Sequence, residues 1–368
     1  MQITTTLSER PTDDAALAEI LANPGFGTHF TDHMFTVEWT PEQGWHDARI
    51  TPYGPITLDP AAAVLHYAQE TFEGMKAYRH QEAGDTGDTS DDSIWLFRPE
   101  ANAARMKRSS HRLALPVLEV PDFIQAVEEL VKVDARWVPG NDEGGEKSLY
   151  LRPYMFASEK FLGVRPAQHV TFMVIASPAG AYFKGGIKPV TLWLSEEYTR
   201  AGRGGMGAAK TGGNYASSLV AQQEASGQGC DQVVFLDGQE GKYVEELGGM
   251  NMYFVFDDGS IVTPETGTIL EGITRSSIIE LATKMGHQVT ERKFDIDEWR
   301  DGVASGRIAE IFACGTAAVV TPVGALKYAG GETPAPASQD LTMRIRSALV
   351  DVQFGRAEDT FGWMRRVV

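Results

Sequence analysis

The chain is 368 residues long and carries 50 acidic and 33 basic side chains, a formal net charge of −17. At roughly 100–200 residues per domain this length suggests about two domains. With 42% apolar and 23% charged residues, usage is ordinary for a globular protein, which excludes wholesale disorder, collagen and a coiled coil. So large an acid excess leaves no basic stripe to displace counterions from phosphates, and a nucleic-acid partner is not expected. Cys230 and Cys314 are the only cysteines and share no CxxC spacing. A disulfide framework is therefore excluded and a reduced, cytoplasmic setting is expected. The opening MQITTTLSERPTDDAALAEIL has no basic start followed by an apolar core, and no run of about 20 apolar residues occurs. Neither a signal peptide nor a membrane partner is expected.

In chain order, residues 1–33 are polar, with a short helical signal at 13–21, and read as an N-terminal arm. MFTVEW (34–39) alternates like a strand. Val64, Leu65, Ala68, Phe72 and Met75 fall at helical spacing and predict a helix over 60–78. The tract HQEAGDTGDTSDDS (80–93) reads as a solvated loop before a strand at 94–97. Pro99 opens a helix at its first position, where its missing N–H costs nothing, and an amphipathic helix follows at 122–137. Residues 149–157 and 170–176 read as strands. The Gly- and Pro-rich SPAGAYFKGGIKP (177–189) marks the boundary, giving a small domain at 34–180, an interdomain loop at 181–190 and a large domain at 191–368. Beyond it come a strand at 190–195, a glycine-dense stretch at 202–213, a helix at 214–224 and strands at 232–236 and 251–256, the last closed by a turn at Asp257-Asp258-Gly259. A helix at 274–285 has Gly286 behind it, where a C-terminal glycine belongs. Strands at 308–313 and 317–320 and a helix at 340–354 complete the chain. Strands and helices mix without regular βαβ alternation, which predicts an α+β class with two domains rather than one doubly wound sheet.

Two motifs are chance matches. Gly202-Arg203-Gly204-Gly205-Met206-Gly207 fits GxGxxG, but no helix opens directly from it, and Glu224, the acid at the right distance, falls inside a predicted helix. Gly204 to Thr211 nearly fits a phosphate-binding loop, but Ala209 stands where glycine is needed. No HExxH, paired CxxC or GxSxG occurs, so no metal is expected.

The segment MGAAKTGGNY (206–215) sets Lys210 among glycines and alanines and runs into an amphipathic helix. Most lysines are surface residues. Here, though, the small neighbours clear room for a flat molecule, and a lysine offered to a planar aldehyde forms an imine, the starting point of pyridoxal phosphate chemistry. That cofactor needs a helix N-terminus and an arginine for its phosphate, a carboxylate for its ring nitrogen and a donor for its phenolic oxygen. Gly272-Ile273-Thr274-Arg275 opens a clear helix, where phosphate binding and simple capping by Thr274 are equally good readings. Cys314-Gly315-Thr316-Ala317 is a second Gly-Thr turn. Arg105 shares its helix with Lys107, Arg108 and Arg112, and nothing local selects it. The pair Glu245-Glu246 reads as an ordinary loop surface.

Taken together, FEGMKAYR (72–79), YLRP (150–153), SPAGAYF (177–183), AAKTGGNYASSLVAQ (208–222), EELGGMN (245–251), EGITR (271–275) and GTAAVVTPV (315–323) are specific. From about Phe30 onward the chain resembles the branched-chain amino acid aminotransferases, on the class IV fold of pyridoxal phosphate enzymes. The resemblance implies a two-domain α+β enzyme with cofactor and active site at the domain interface. It implies that Lys210 binds the cofactor covalently and moves the substrate proton, that Tyr215 bonds the phenolic oxygen, and that Glu246 rather than Glu245 pairs with the ring nitrogen. It implies phosphate contacts from Arg105, Ile273, Thr274 and Thr316. The substrate pocket would comprise Tyr67, Phe72, Tyr150, Arg152, Tyr182 and Ala317. The implied reaction is ping-pong transfer of the amino group from L-leucine, L-isoleucine or L-valine to 2-oxoglutarate, in a homodimer. Ala318 and Thr321 stand where some members carry a redox CxxC, so no thiol switch is expected there. Gly249 stands where some have threonine, which should loosen contacts around the substrate.

Overall fold

The structure is a computed structural model that describes residues 1–81, 92–140, 145–180 and 187–368. Most of the expected loop at 80–93, part of the boundary stretch and Tyr182 lie outside the described residues. The chain divides into two units, Met1–Tyr182 with Asp351–Val368, and Phe183–Val350.

The first unit is built on strands β1 (Thr4–Thr5), β2 (His33–Thr40), β3 (Gly44–Pro52), β4 (Glu70–Phe72), β5 (Met75–Gln81), β6 (Asp92–Phe97), β7 (Ser148–Ala157) and β8 (Val170–Ala179). They form one sheet in the order β1-β3-β2-β8-β7-β5-β6, with β4 beside β7. Helices α1 (Asp14–Ala22), α2 (Val64–Tyr67), α3 (Pro99–Arg112) and α4 (Val120–Val133) accompany it. On α4, Phe123, Ile124, Val127, Leu130 and Val131 recur at helical spacing, are buried and join Phe35 and Phe172 of the sheet in one core. Along β7, Leu149, Leu151 and Met155 are fully buried while Tyr150, Arg152 and Tyr154 between them are half-buried, so the latter three share the opposite face. The N-terminal segment is more than an arm: β1 pairs with β3, and Leu17 of α1 enters the core.

The helix expected over 60–78 is a correction. Only Val64–Tyr67 is helical, and Ala68 ends it in the left-handed region at φ 48°. The rest forms β4 and β5, both paired with β7. Residues 73–78 are all buried, Glu73 and Lys76 included, so no alternation of buried and exposed positions marks the strand, and so short a segment fits either structure.

The second unit holds β9 (Val190–Ser195), β10 (Gln232–Leu236), β11 (Val244–Leu247), β12 (Asn251–Phe256), β13 (Ile261–Thr263), β14 (Val289–Glu291), β15 (Ile308–Gly315), β16 (Val319–Tyr328) and β17 (Gly331–Thr333). Their order is β11-β10-β9-β16-β15-β12-β13-β14, with β17 beside β16. The helices are α5 (Gly212–Ala216), α6 (Leu219–Gly227), α7 (Ile273–Lys284), α8 (Ile296–Ala304) and α9 (Asp340–Gln353). Val233 and Phe235 of β10 pack with Ala221 and Ala225 of α6, while Val234 and Leu236 belong to a core with Phe254, Phe294 and Trp299. A strand covered on both faces reads as a continuous apolar run, as QVVFL does. The helix expected at 214–224 is interrupted. The Ser217 and Ser218 hydroxyls donate to the carbonyls of Asn214 and Tyr215, a local alternative to the helical ladder, and split the segment into α5 and α6.

A last strand, β18 (Met364–Arg366), pairs antiparallel with β6. The segment from Asp351 onward thus belongs with the first unit, unlike the expected single span 191–368. No helix among the described residues is long and apolar enough to cross a membrane.

Candidate active site

Within the second unit, the glycine-dense stretch delivers Lys210 to the start of α5, and Tyr215 follows within that helix. The lysine Nζ lies 2.7 Å from the Tyr215 hydroxyl, and both residues are half-buried. Asn214, between them, is buried and donates to the carbonyls of Met206 and Ala209, which pins the loop to the helix. Gly202 and Gly204 face open space, whereas Gly207 has a packing role. A Cβ on Gly207 would stand 1.8 Å from the Thr268 carbonyl oxygen, so this glycine lets two backbones meet.

Glu245 and Glu246 are buried in β11, not on a loop surface. Glu246 Oε1 accepts from the Leu270 N–H at 3.0 Å and lies 2.7 Å from Arg200 Nη1, both side chains being all but inaccessible. Burial pushes the Glu246 carboxyl up to about 7, while Arg200, the Leu270 N–H and Lys210 pull it down and Glu245 adds to the rise. Burial also raises Glu245, against a hydrogen bond from Thr268. Arg200 carries no recognisable signal in sequence and is a residue the sequence reading missed.

Helix α7 begins at Gly272, which makes no side-chain cap, so the first N–H groups of a twelve-residue helix are left to other partners. A Cβ on Gly272 would meet Asn251 Oδ1 at 2.1 Å, and Asn251 Nδ2 in turn donates to the Leu270 carbonyl. Asn251 pairs in register with Cys314, and Gly315 faces the Gly249 carbonyl, so the turn holding Thr316 and Ala317 adjoins the start of β12. Gly249 in turn faces the Tyr215 ring. The Thr274 and Thr316 hydroxyls form no hydrogen bond among the described residues. The second unit thus gathers Lys210, Tyr215, Glu246, Ile273, Thr274, Thr316 and Ala317 on adjoining segments. Cys314 is buried and its thiol is pushed up to about 12, which leaves it unreactive.

The first unit holds the remaining predicted residues. The Arg152 guanidinium lies over the rings of Phe72 (4.8 Å) and Tyr150 (5.4 Å) and donates to the Tyr150 hydroxyl at 3.0 Å. Gly74 makes room for that hydroxyl, since a Cβ there would lie 2.2 Å from it. Tyr67 donates to the Leu162 carbonyl. Arg105 is buried in α3 and grips Glu73 with two bonds, Nε to Oε1 at 2.8 Å and Nη2 to Oε2 at 2.7 Å. Asn102, one turn earlier, donates to the same carboxylate. Glu73 is a second residue the sequence reading missed, although it lies inside FEGMKAYR.

The second unit thus places a lysine against a tyrosine hydroxyl, a buried acid with an arginine behind it and a helix start without a side-chain cap. Residues 70–326 match the family described as amino-transferase class IV, and the chain belongs to that family. It is a transaminase, and class IV transaminases work with pyridoxal 5'-phosphate. Over its full length the chain is 53% identical to the branched-chain-amino-acid aminotransferase of Mycolicibacterium smegmatis, covering 98% of that protein. It is 52% identical to the Mycobacterium tuberculosis protein of the same name, again over 100% of this chain and 98% of the relative. Among solved structures, the T.th. branched-chain amino acid aminotransferase complexed with N-(5'-phosphopyridoxyl)-L-glutamate matches with a TM-score of 0.72 at 27% identity, over 90% of this chain and 98% of that one.

Proposed function

We propose that the protein exchanges the amino group between L-leucine, L-isoleucine or L-valine and 2-oxoglutarate, in two half-reactions at one site. The relatives' names support the branched-chain substrates. The glutamate adduct crystallised with the T.th. enzyme supports glutamate as the second amino acid. The pair Lys210 Nζ to Tyr215 hydroxyl, at 2.7 Å beside buried Glu246, is the observation that carries the reading.

The residues present fit pyridoxal phosphate. The uncapped start of α7, with Ile273 and Thr274, and the turn with Thr316 would hold its phosphate. Arg105 would add a cation, oriented by Glu73. Glu246 would pair with its ring nitrogen and Tyr215 with its phenolic oxygen. When bound, the cofactor supplies an electron sink for the charge left at the substrate Cα. Lys210 Nζ takes and returns the Cα proton, because a released amine on that side chain stays beside the atom it must serve. Tyr215 orients that amine. Phe72 and Tyr150 offer apolar faces for a branched side chain, and Arg152 offers a charged donor for the second carboxylate of glutamate. Tyr67 of the first unit and Ala317 of the second are further candidates for contact with substrate. A cytoplasmic homodimer belongs to the same reading. Two unpaired cysteines suit that compartment, and exposed Leu65, Leu162 and Val164 suit a subunit contact.

The test joins hydride trapping to a substrate panel. Borohydride reduction followed by peptide mass analysis is expected to place the cofactor on Lys210, and Lys210→Ala is expected to lower turnover by about 10³-fold or more. An adduct on another lysine, or turnover of D-alanine with none of L-leucine, would overturn the proposal.

A further inference from the structure

We propose that Arg200 is a positioning residue for transamination: its guanidinium holds Oε1 of Glu246, keeping that carboxylate ionised and its second oxygen available to the cofactor's ring nitrogen. The inference rests on the assignment of Glu246 made above. Arg200 Nη1 and Glu246 Oε1 are 2.7 Å apart, with side chains 1% and 2% exposed. Two buried acids on one strand, Glu245 and Glu246, share this buried guanidinium as a nearby fixed cation, and Arg200 acts on both. A guanidinium does not give up its proton, so it is the one partner that stays charged at every working pH. Around Glu246 stand Glu245 on its own strand, Lys210 from the loop and Cys314 from β15. With Lys210 bound to the cofactor, two ionised carboxylates and one guanidinium leave one negative charge over, and a protonated ring nitrogen balances it. Without Arg200 one acid would take up a proton instead, and the ring nitrogen would face a weaker base.

The backbone ties Arg200 to the reacting lysine as well. Its carbonyl accepts from the Ser217 hydroxyl, two residues past Tyr215, and the Ala201 side chain is among the nearest neighbours of Gly207. One short segment therefore fixes the acid from one side and the two ends of the Lys210 loop from the other. Among the described residues Nε and Nη1 make no well-aligned hydrogen bond, and the 2.7 Å approach to Glu246 is an ion pair, so the hold on the acid should depend on charge more than on the shape of the fork.

The experiment compares Arg200→Met, Arg200→Lys and Glu246→Gln with wild type as holoenzymes. It reads the pH titration of the bound cofactor's absorption band together with kcat and KM for L-leucine. Arg200→Met is expected to lower kcat by about 10- to 100-fold with KM changed less than about threefold, and to move the titration midpoint. Arg200→Lys, which keeps the charge, should recover most of both. If Arg200→Met does not fold, Arg200→Lys decides: a wild-type midpoint and kcat support the charge role, and a loss in both overturns it. A folded Arg200→Met with wild-type titration and kcat would also overturn it. Should Glu246→Gln leave the band unchanged, the assignment of Glu246 fails; should Glu246→Gln shift it while Arg200→Met does not, only the role of Arg200 fails.

Discussion

A buried carboxyl pushed from 4.5 up to about 7 makes stability depend on pH, and Glu246 is in that position. Its folded pKa lies above the unfolded value, so the folded protein binds the proton more tightly. The stability it adds is fully present below about 4.5 and is lost as pH rises through about 7. Asp32, Asp237 and Glu310 are held below their ordinary values by hydrogen bonds, so their contributions fade only as pH falls and stay out of that window. In cofactor-free protein, wild type should therefore lose stability relative to Glu246→Gln between pH 5 and 8, by up to about 3 kcal/mol. Thermal unfolding at four pH values checks this, and parallel curves would refute it. In the loaded enzyme the same substitution should cost about 10²-fold in kcat. At this scale the sequence was uneven. Lys210 and Tyr215 were legible because their chemistry and their small neighbours lie within ten residues of chain. Glu246 could not be told from Glu245 by local pattern, since which acid of the pair faces Lys210 depends on the pleat of a strand. Arg200 and Glu73 were illegible because a buried ion pair between distant segments leaves no local mark.

Elements were legible where one periodicity ruled. The strands β9, β10 and β12 and the helices α3, α7 and α9 stand close to where apolar spacing, Pro99 and Gly286 put them. The spacing failed at 60–78, where the chain leaves the helix after Tyr67 and residues 73–78 are buried on both faces of a strand, and at α5–α6, where serine hydroxyls bond back to the carbonyls at the break. Within the glycine-dense stretch, one glycine serves a tertiary contact that no local pattern announces. Gly207 carries the point: its Cα rests on the backbone of Thr268, and Thr268 leads directly to Leu270, whose N–H holds Glu246. The loop of the lysine and the segment behind the acid are thus packed backbone to backbone. Gly207→Ala must push them apart, because the clashing atom is a carbonyl oxygen that no rotamer can move. The expected cost is about 1–3 kcal/mol in stability with weaker pyridoxal phosphate binding. Urea unfolding and a fluorescence titration of the cofactor measure the two. A variant matching wild type in both would mean that the segments part without consequence.

At the scale of the whole molecule, strands and helices without βαβ alternation point to two domains of α+β class, and the chain divides into two units between Tyr182 and Phe183. What the sequence could not show was the return of the C-terminus to the first unit, since β18 is three residues long and half-exposed, with no apolar run to announce it. Its anchor is Trp363. The indole is 5% exposed, stacks on Phe361 at 4.1 Å and meets Phe97 of β6 edge-on at 5.6 Å. The Trp363 carbonyl accepts from the Arg98 N–H at 2.7 Å, and the Arg98 guanidinium lies 5.4 Å above the indole. Arg98 is the residue before α3 and sits in the left-handed region at φ 49°, a conformation that costs a non-glycine residue about 1 kcal/mol or more. The C-terminal segment thus holds the first turn of the helix that carries Asn102 and Arg105 onto Glu73. Trp363→Ala should remove about 3–5 kcal/mol of stability and speed amide hydrogen exchange at the start of α3, with exchange in β12 and β15 unaffected unless the whole chain unfolds. Chemical denaturation gives the first quantity and exchange mass spectrometry the second. A stability change within about 0.5 kcal/mol, the range of surface substitutions, would mean that β6 and α3 hold their places without the returning chain.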